Sequence, residues 1–117
     1  MSVGVDFNFI PMGDCLWLVF TTLPNLAIAE EIAQHLVKNQ LVACAQVLPP
    51  MTSIYTWQGQ ICRESEVLLL LKTPSDRYPA LELSLKELHP YAEPEIIALV
   101  AAAVSQSYLT WAIASTH

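Results

Sequence analysis

Two stretches of this chain carry an apolar side chain at every position, Val67-Leu68-Leu69-Leu70-Leu71 and Ile96 to Val104. A strand with one wet face alternates apolar and polar residues, because successive side chains point to opposite sides of the sheet. Unbroken runs of this kind therefore belong to strands covered on both faces. Charged residues make up only 14% of the 117 residues and apolar ones 54%, against an average charged fraction of about 25%. With so little polar surface, the cover for the second face has to come from somewhere other than solvent-facing charge.

The remaining pattern supplies cover for one face only. Leu16 to Phe20 is a short apolar run entering Thr21-Thr22, and the Pro24-Asn25 turn after it marks a strand. Asn25 suits an N-cap, with Glu30 and Glu31 in an early turn and Ala29, Ile32, Ala33, Leu36 and Val37 along one helical face ending near Lys38-Asn39. Leu41 to Leu48 reads as a strand, Pro49-Pro50 interrupts it, and Ser53 to Trp57 resumes extended structure up to a Gln58-Gly59 turn. Gln60 to Lys72 is far longer than an ordinary strand, so this hairpin should project beyond its sheet. Pro74-Ser75 opens a second helix with Tyr78, Leu81, Leu85 and Leu88 on one face, and Pro90 stops it. Ile96 to Val104 is expected as the last core strand, and Tyr108, Leu109, Trp111, Ala112 and Ile113 suit a short terminal helix.

The order strand, helix, strand, strand, helix, strand is the split βαβ arrangement of an α+β, ferredoxin-like βαββαβ sandwich. Right-handed crossovers place both main helices on one face of an antiparallel sheet. Residues 16–117 are expected to form this single domain, preceded by a flexible arm over 1–15 that shows neither a two-residue nor a 3.6-residue period. The second face then needs other subunits. Each outward side chain left wet forgoes about 1.5 to 3 kcal/mol of burial, so an obligate oligomer is expected.

Charge and cysteine usage narrow the partners. Five Lys plus Arg against eleven Asp plus Glu give a net charge of -6, the wrong sign for displacing counterions from nucleic acid. The longest apolar run is about half of a membrane-spanning helix, so no membrane association is expected. No Lys or Arg precedes Lys38, so neither a secretory signal nor a transit peptide is expected, and the location expected is cytoplasmic. Cys15, Cys44 and Cys62 show neither CxxC nor zinc spacing and are read as buried free thiols.

Several residues could carry chemistry. Tyr55 and Trp57 share one side of a strand before a glycine turn, as an interface or as a ligand platform. Glu64 and Glu66 share a strand face, with Lys72 further along, as an ion-pair set, an acid and base, or a pair of oxygens for a hard cation. His89-Pro90-Tyr91 and Pro94-Glu95 form a rigid turn in which a lone His is more often a hydrogen-bonded cap than a metal ligand. Phosphate loops, HExxH and GxSxG are all missing, and three glycines are few for a phosphate cradle.

Taken together, Leu41-Val42-Ala43-Cys44, Thr52 to Gly59, Glu64-Ser65-Glu66 to Leu71-Lys72-Thr73, His89-Pro90-Tyr91, Pro94-Glu95 and Tyr108-Leu109-Thr110-Trp111 resemble the CutA divalent-cation tolerance family in order and spacing. The resemblance covers roughly residues 16 to 115. It implies a homotrimer with PII-like architecture whose hairpins pair across subunits, and a non-enzymatic role in tolerance and response to divalent metal ions. No cofactor is required on this reading, and the candidate ligand is a divalent cation such as copper. The family pattern proposed for copper has a cysteine just before Thr21 and two adjacent histidines before Pro-Tyr. This chain has Phe20 and Leu88-His89 there, so His89 alone is retained as a metal candidate. The resemblance also implies inter-subunit clefts lined by Tyr55, Trp57, Glu64, Glu66, Lys72, His89, Tyr91, Glu95 and Trp111. Two alternatives stand beside it, a PII-like small-molecule sensor or signalling trimer and an uncharacterised enzyme using the same cleft residues.

Overall fold

A computed structural model describes residues 15–117. The arm expected over 1–15 lies, except for Cys15, outside the described residues. Strand β1 (Leu16–Leu23) leads into helix α1 (Leu26–Lys38), followed by β2 (Cys44–Val47), β3 (Met51–Trp57) and the 15-residue β4 (Gln60–Pro74). A 3-10 turn (Ser75–Arg77) opens α2 (Tyr78–Leu88), and β5 (Ile97–Val100) and α3 (Gln106–Ser115) complete the chain. The sheet order is β2-β4-β1-β5 with every pairing antiparallel, and β3 pairs with the outer half of β4. This is the expected α+β ferredoxin-like topology with its long hairpin and C-terminal helix.

Local side-chain chemistry sets where α1 starts and stops. Asn25 sits in extended backbone and its side-chain oxygen accepts from the Ile28 N–H at 2.9 Å, satisfying one of the free donors of the first turn. Ala29, Ile32, Ala33 and Leu36 are buried. Two details differ from expectation. The helix begins directly after its cap, so Glu30 and Glu31 lie in the second turn facing solvent and the first turn holds no acid. Val37 is 45% exposed, because one further step around the helix turns it off the buried face. Asn25→Ala is expected to lower stability by about 1 kcal/mol, read as a lower urea midpoint with an unchanged slope.

The two faces of the sheet are covered differently. Val19 and Leu23 of β1 and Val67, Leu69 and Leu71 of β4 pack against Ala29, Ile32 and Leu36 of α1 and Leu81 and Leu85 of α2. On the other face α3 covers one end, where Leu16 and Ala43 pack with Leu109 and Ala112. Beyond α3, the same face carries Leu18 and Phe20 of β1, Leu68 and Leu70 of β4, all half-buried, and Ile97 and Leu99 of β5, 48% and 49% exposed. The cross-strand register places these side chains together, with Phe20 beside Leu70 and Ile97 and Leu18 beside Leu99.

Several boundaries shift for physical reasons. The run from Ile96 does not continue as a strand to Val104. β5 ends at Val100, and although the Ala101 N–H still donates to the Leu16 carbonyl at 2.9 Å, the Ala101 and Val104 side chains pack in the α3 cluster, so their apolar character serves the helix seat. Leu41 to Ala43 likewise lie outside β2, although the Ala43 N–H still donates to the Lys72 carbonyl at 2.8 Å. Pro74 closes β4, so the helical segment opens at Ser75 and α2 itself at Tyr78. Leu88 falls on the last turn of α2 and is 38% exposed instead of sharing the buried face of Leu81 and Leu85.

The hairpin of β3 and β4 turns at Gln58 and Gly59, with φ of 50° and 78°. Two successive left-handed residues are what a tight type I′ turn requires, and glycine reaches that region without a Cβ penalty. The hairpin gives the molecule its elongated extent of 51 × 30 × 23 Å. It also holds Ile54, Trp57 and Ile61 at 62%, 60% and 78% exposure.

Candidate functional site at the root of the hairpin

β4 passes from the sheet into the hairpin between Val67 and Glu66. Val67 pairs with Leu23 of β1, whereas Glu66 pairs with Met51 of β3. Alternation along β4 puts Cys62, Glu64 and Glu66 on the same side as Tyr55, which lies opposite Cys62. The turn after α2 brings Tyr91 to this place. Its hydroxyl donates to Glu66 Oε2 at 2.8 Å, and the His89 and Tyr91 ring centroids lie 5.0 Å apart.

Burial and the Glu66 carboxylate that accepts its proton hold the Tyr91 phenol well above the usual range, and Tyr55 and Glu64 add to the shift. Tyr55 is raised as well, through desolvation and then the charges of Glu64, Cys62 and Glu66. His89 is buried, 8% exposed. Its Nε2 lies 3.0 Å from Thr21 Oγ1, and its Nδ1 accepts from the Tyr91 N–H at 3.2 Å. Burial lowers its pKa, against a smaller upward pull from the Thr22 carbonyl and Glu66.

The structure thus gathers Tyr55, Glu64, Glu66, His89 and Tyr91. It places the other expected cleft residues elsewhere in the protomer. Lys72 lies six positions along β4 from Glu66, roughly 20 Å at strand spacing, where it neighbours Cys44 and Leu18 and stands 5.8 Å from the Tyr108 ring centroid. Trp57 is at the hairpin tip opposite Gln60, and Trp111 lies on α3 against Tyr108. Glu95 is exposed, just before β5. Thr21 carries no sequence signal beyond being one of a pair of hydroxyl residues following an apolar run.

The family model described as CutA1 divalent ion tolerance protein matches residues 17–115, spanning from the start of β1 to the end of α3. The chain belongs to the CutA1 family. The divalent-cation tolerance protein CutA of Thermus thermophilus is 44% identical over 94 residues, which is 80% of this chain and 91% of that one. Human Protein CutA is also 44% identical over 92 residues, 79% of this chain, which spans about half (51%) of the human protein's length. A solved structure described as the periplasmic divalent cation tolerance protein CutA of Archaeoglobus fulgidus superposes with a TM-score of 0.84 at 27% identity, covering 87% of this chain and 99% of its own. No helix among the described residues is long and apolar enough to cross a membrane.

Copper, which the CutA resemblance implies, does not fit this CutA1 member at the expected place. Phe20 lies half-buried in β1 between Leu70 and Ile97, and Leu88 is an exposed hydrocarbon. Neither supplies a donor atom, and both ring nitrogens of His89 are already engaged. Among the described residues no three His, Cys, Asp or Glu side chains converge as a metal site requires.

Proposed function

We propose that this CutA1-family chain acts without catalysis, as a homotrimer that takes part in tolerance of divalent metal ions through shared surfaces at the hairpin roots. The observation carrying this reading is the apolar face left beyond α3. Ile97 and Leu99 are about half exposed beside Leu68, Leu70, Leu18 and Phe20, and the projecting hairpin adds Ile54, Trp57 and Ile61. A contiguous apolar patch of this kind marks an association surface. Sister copies would bury it and bring Trp57 and Trp111 of one subunit toward the Glu66 and Tyr91 of another, which accounts for an expected cleft that one protomer does not close.

The cation role rests on the family and on the names its relatives bear. A reaction finds no support in the residues at the hairpin root, where Glu66 accepts from the Tyr91 hydroxyl and His89 Nδ1 accepts from the Tyr91 N–H. The location proposed is cytoplasmic, although the Archaeoglobus relative is described as periplasmic. Nucleic acid and membrane are not partners on this reading.

The test pairs assembly with phenotype. Light scattering should give three times the 13.0 kDa chain mass. A strain lacking the protein should lose growth when copper, zinc or cobalt is raised, and the intact chain should restore it. A monomer at micromolar concentration, or growth indifferent to every cation, would overturn the reading.

A further inference from the structure

We infer that His89 is a positioning residue, fixed as the Nε2–H tautomer, which holds Tyr91 against Glu66 where the hairpin leaves the sheet and keeps no ring lone pair for a metal.

The tautomer follows from the partners. A backbone N–H can only donate, so the Nδ1 facing the Tyr91 N–H is the acceptor. A neutral imidazole then carries its proton on Nε2, directed at Thr21 Oγ1 and the Thr22 carbonyl. Both ring positions are thereby committed. A metal binding Nδ1 would displace the Tyr91 N–H, and one binding Nε2 would require a proton to leave and the Thr21 contact to break. Either loss occurs at a ring only 8% exposed, where an unpaired polar group is costly.

What the imidazole positions can be read along the same bonds. The Thr21-Thr22 end of β1 extends past Ile97, the first residue of β5, whose partner is Phe20. The turn after α2 takes up that unpaired edge through His89. Pro90 restricts the backbone between the two rings, and Tyr91 reaches across to Glu66, the first β4 residue paired with β3 rather than with β1. β1 and the hairpin are thus joined by a continuous series of hydrogen bonds through His89 and Tyr91. These bonds lie within one protomer, however many copies assemble.

The test uses the full chain with ¹⁵N-labelled histidine. Long-range proton–nitrogen correlations should show a protonated Nε2 and an unprotonated Nδ1 for His89. One equivalent of Cu(II) should broaden the exposed His35 while the His89 signals stay sharp. In His89→Leu the Tyr91 hydroxyl proton should exchange about tenfold faster. His89→Asn, whose Oδ1 can take the Tyr91 N–H, should recover part of the protection. An Nδ1–H tautomer, selective loss of the His89 signals at substoichiometric copper, or an equally protected Tyr91 hydroxyl in His89→Leu would each overturn the inference. The first two readings are made on the unmodified protein, so they hold even if a variant fails to fold.

Discussion

In the homotrimer proposed above, Leu99→Asp should give monomers while leaving each protomer folded. Leu99 is 49% exposed in the isolated subunit, and Asp at a half-wet edge position removes little that the protomer itself uses. In an assembly that covers this face the consequence is different in kind. Each copy would lose part of the roughly 1.5 to 3 kcal/mol that a buried leucine contributes and would have to desolvate a carboxylate without a partner, a cost of several kcal/mol. The change is repeated in every subunit, so association should weaken by at least about a thousandfold, since every 1.4 kcal/mol is tenfold. Sedimentation velocity across a concentration series would show it, with circular dichroism confirming that the sheet and helices remain. An assembly of unchanged size would mean that this edge of the sheet faces solvent after all. Retention of metal tolerance by the monomer would separate function from assembly.

What could be read from the sequence was what depends on periodicity and short-range chemistry. The Asn25 cap, the end of α1, the Gln58-Gly59 turn and the split βαβ order all rest on neighbouring residues, and all are present. The apolar runs were harder to apportion, because an apolar side chain does not record what it packs against. Val67 to Leu71 is a strand throughout, whereas Ala101 and Val104 belong to the seat of α3. The candidate site shows the same limit. Glu64, Glu66 and Tyr55 could be grouped by strand alternation, but Lys72 shares that face of β4 at a distance the pattern does not convey. Thr21 meets His89 across 68 positions of sequence, and nothing in the order of residues announces that contact. Copper was legible only through the resemblance, and the protein's own hydrogen bonds argue against it at His89.

The two faces of β4 make the second large effect separable from the first. Leu70 and Leu71 are adjacent, chemically identical and on opposite sides of one strand. Leu71 is fully buried among Val19, Leu36 and Leu85 in the helix-covered core, whereas Leu70 is half-buried on the face beyond α3. In the Leu99→Asp background, where folding is read without assembly, Leu71→Ala should cost about 2 to 5 kcal/mol through lost transfer energy and the cavity left behind. Against a net stability of roughly 5 to 15 kcal/mol, that is a large fraction of what holds the fold. Leu70→Ala in the same background should cost less than half as much, because its side chain has less to lose in a single subunit. In the otherwise unmodified chain the outcome should separate the same way. Leu70→Ala should shift the concentration dependence of assembly, and Leu71→Ala should lower the melting temperature of every species. Equal costs for the two leucines in the monomeric background would show that the outward face of β4 is already packed within one chain, and the case for sister subunits as its cover would fail with it.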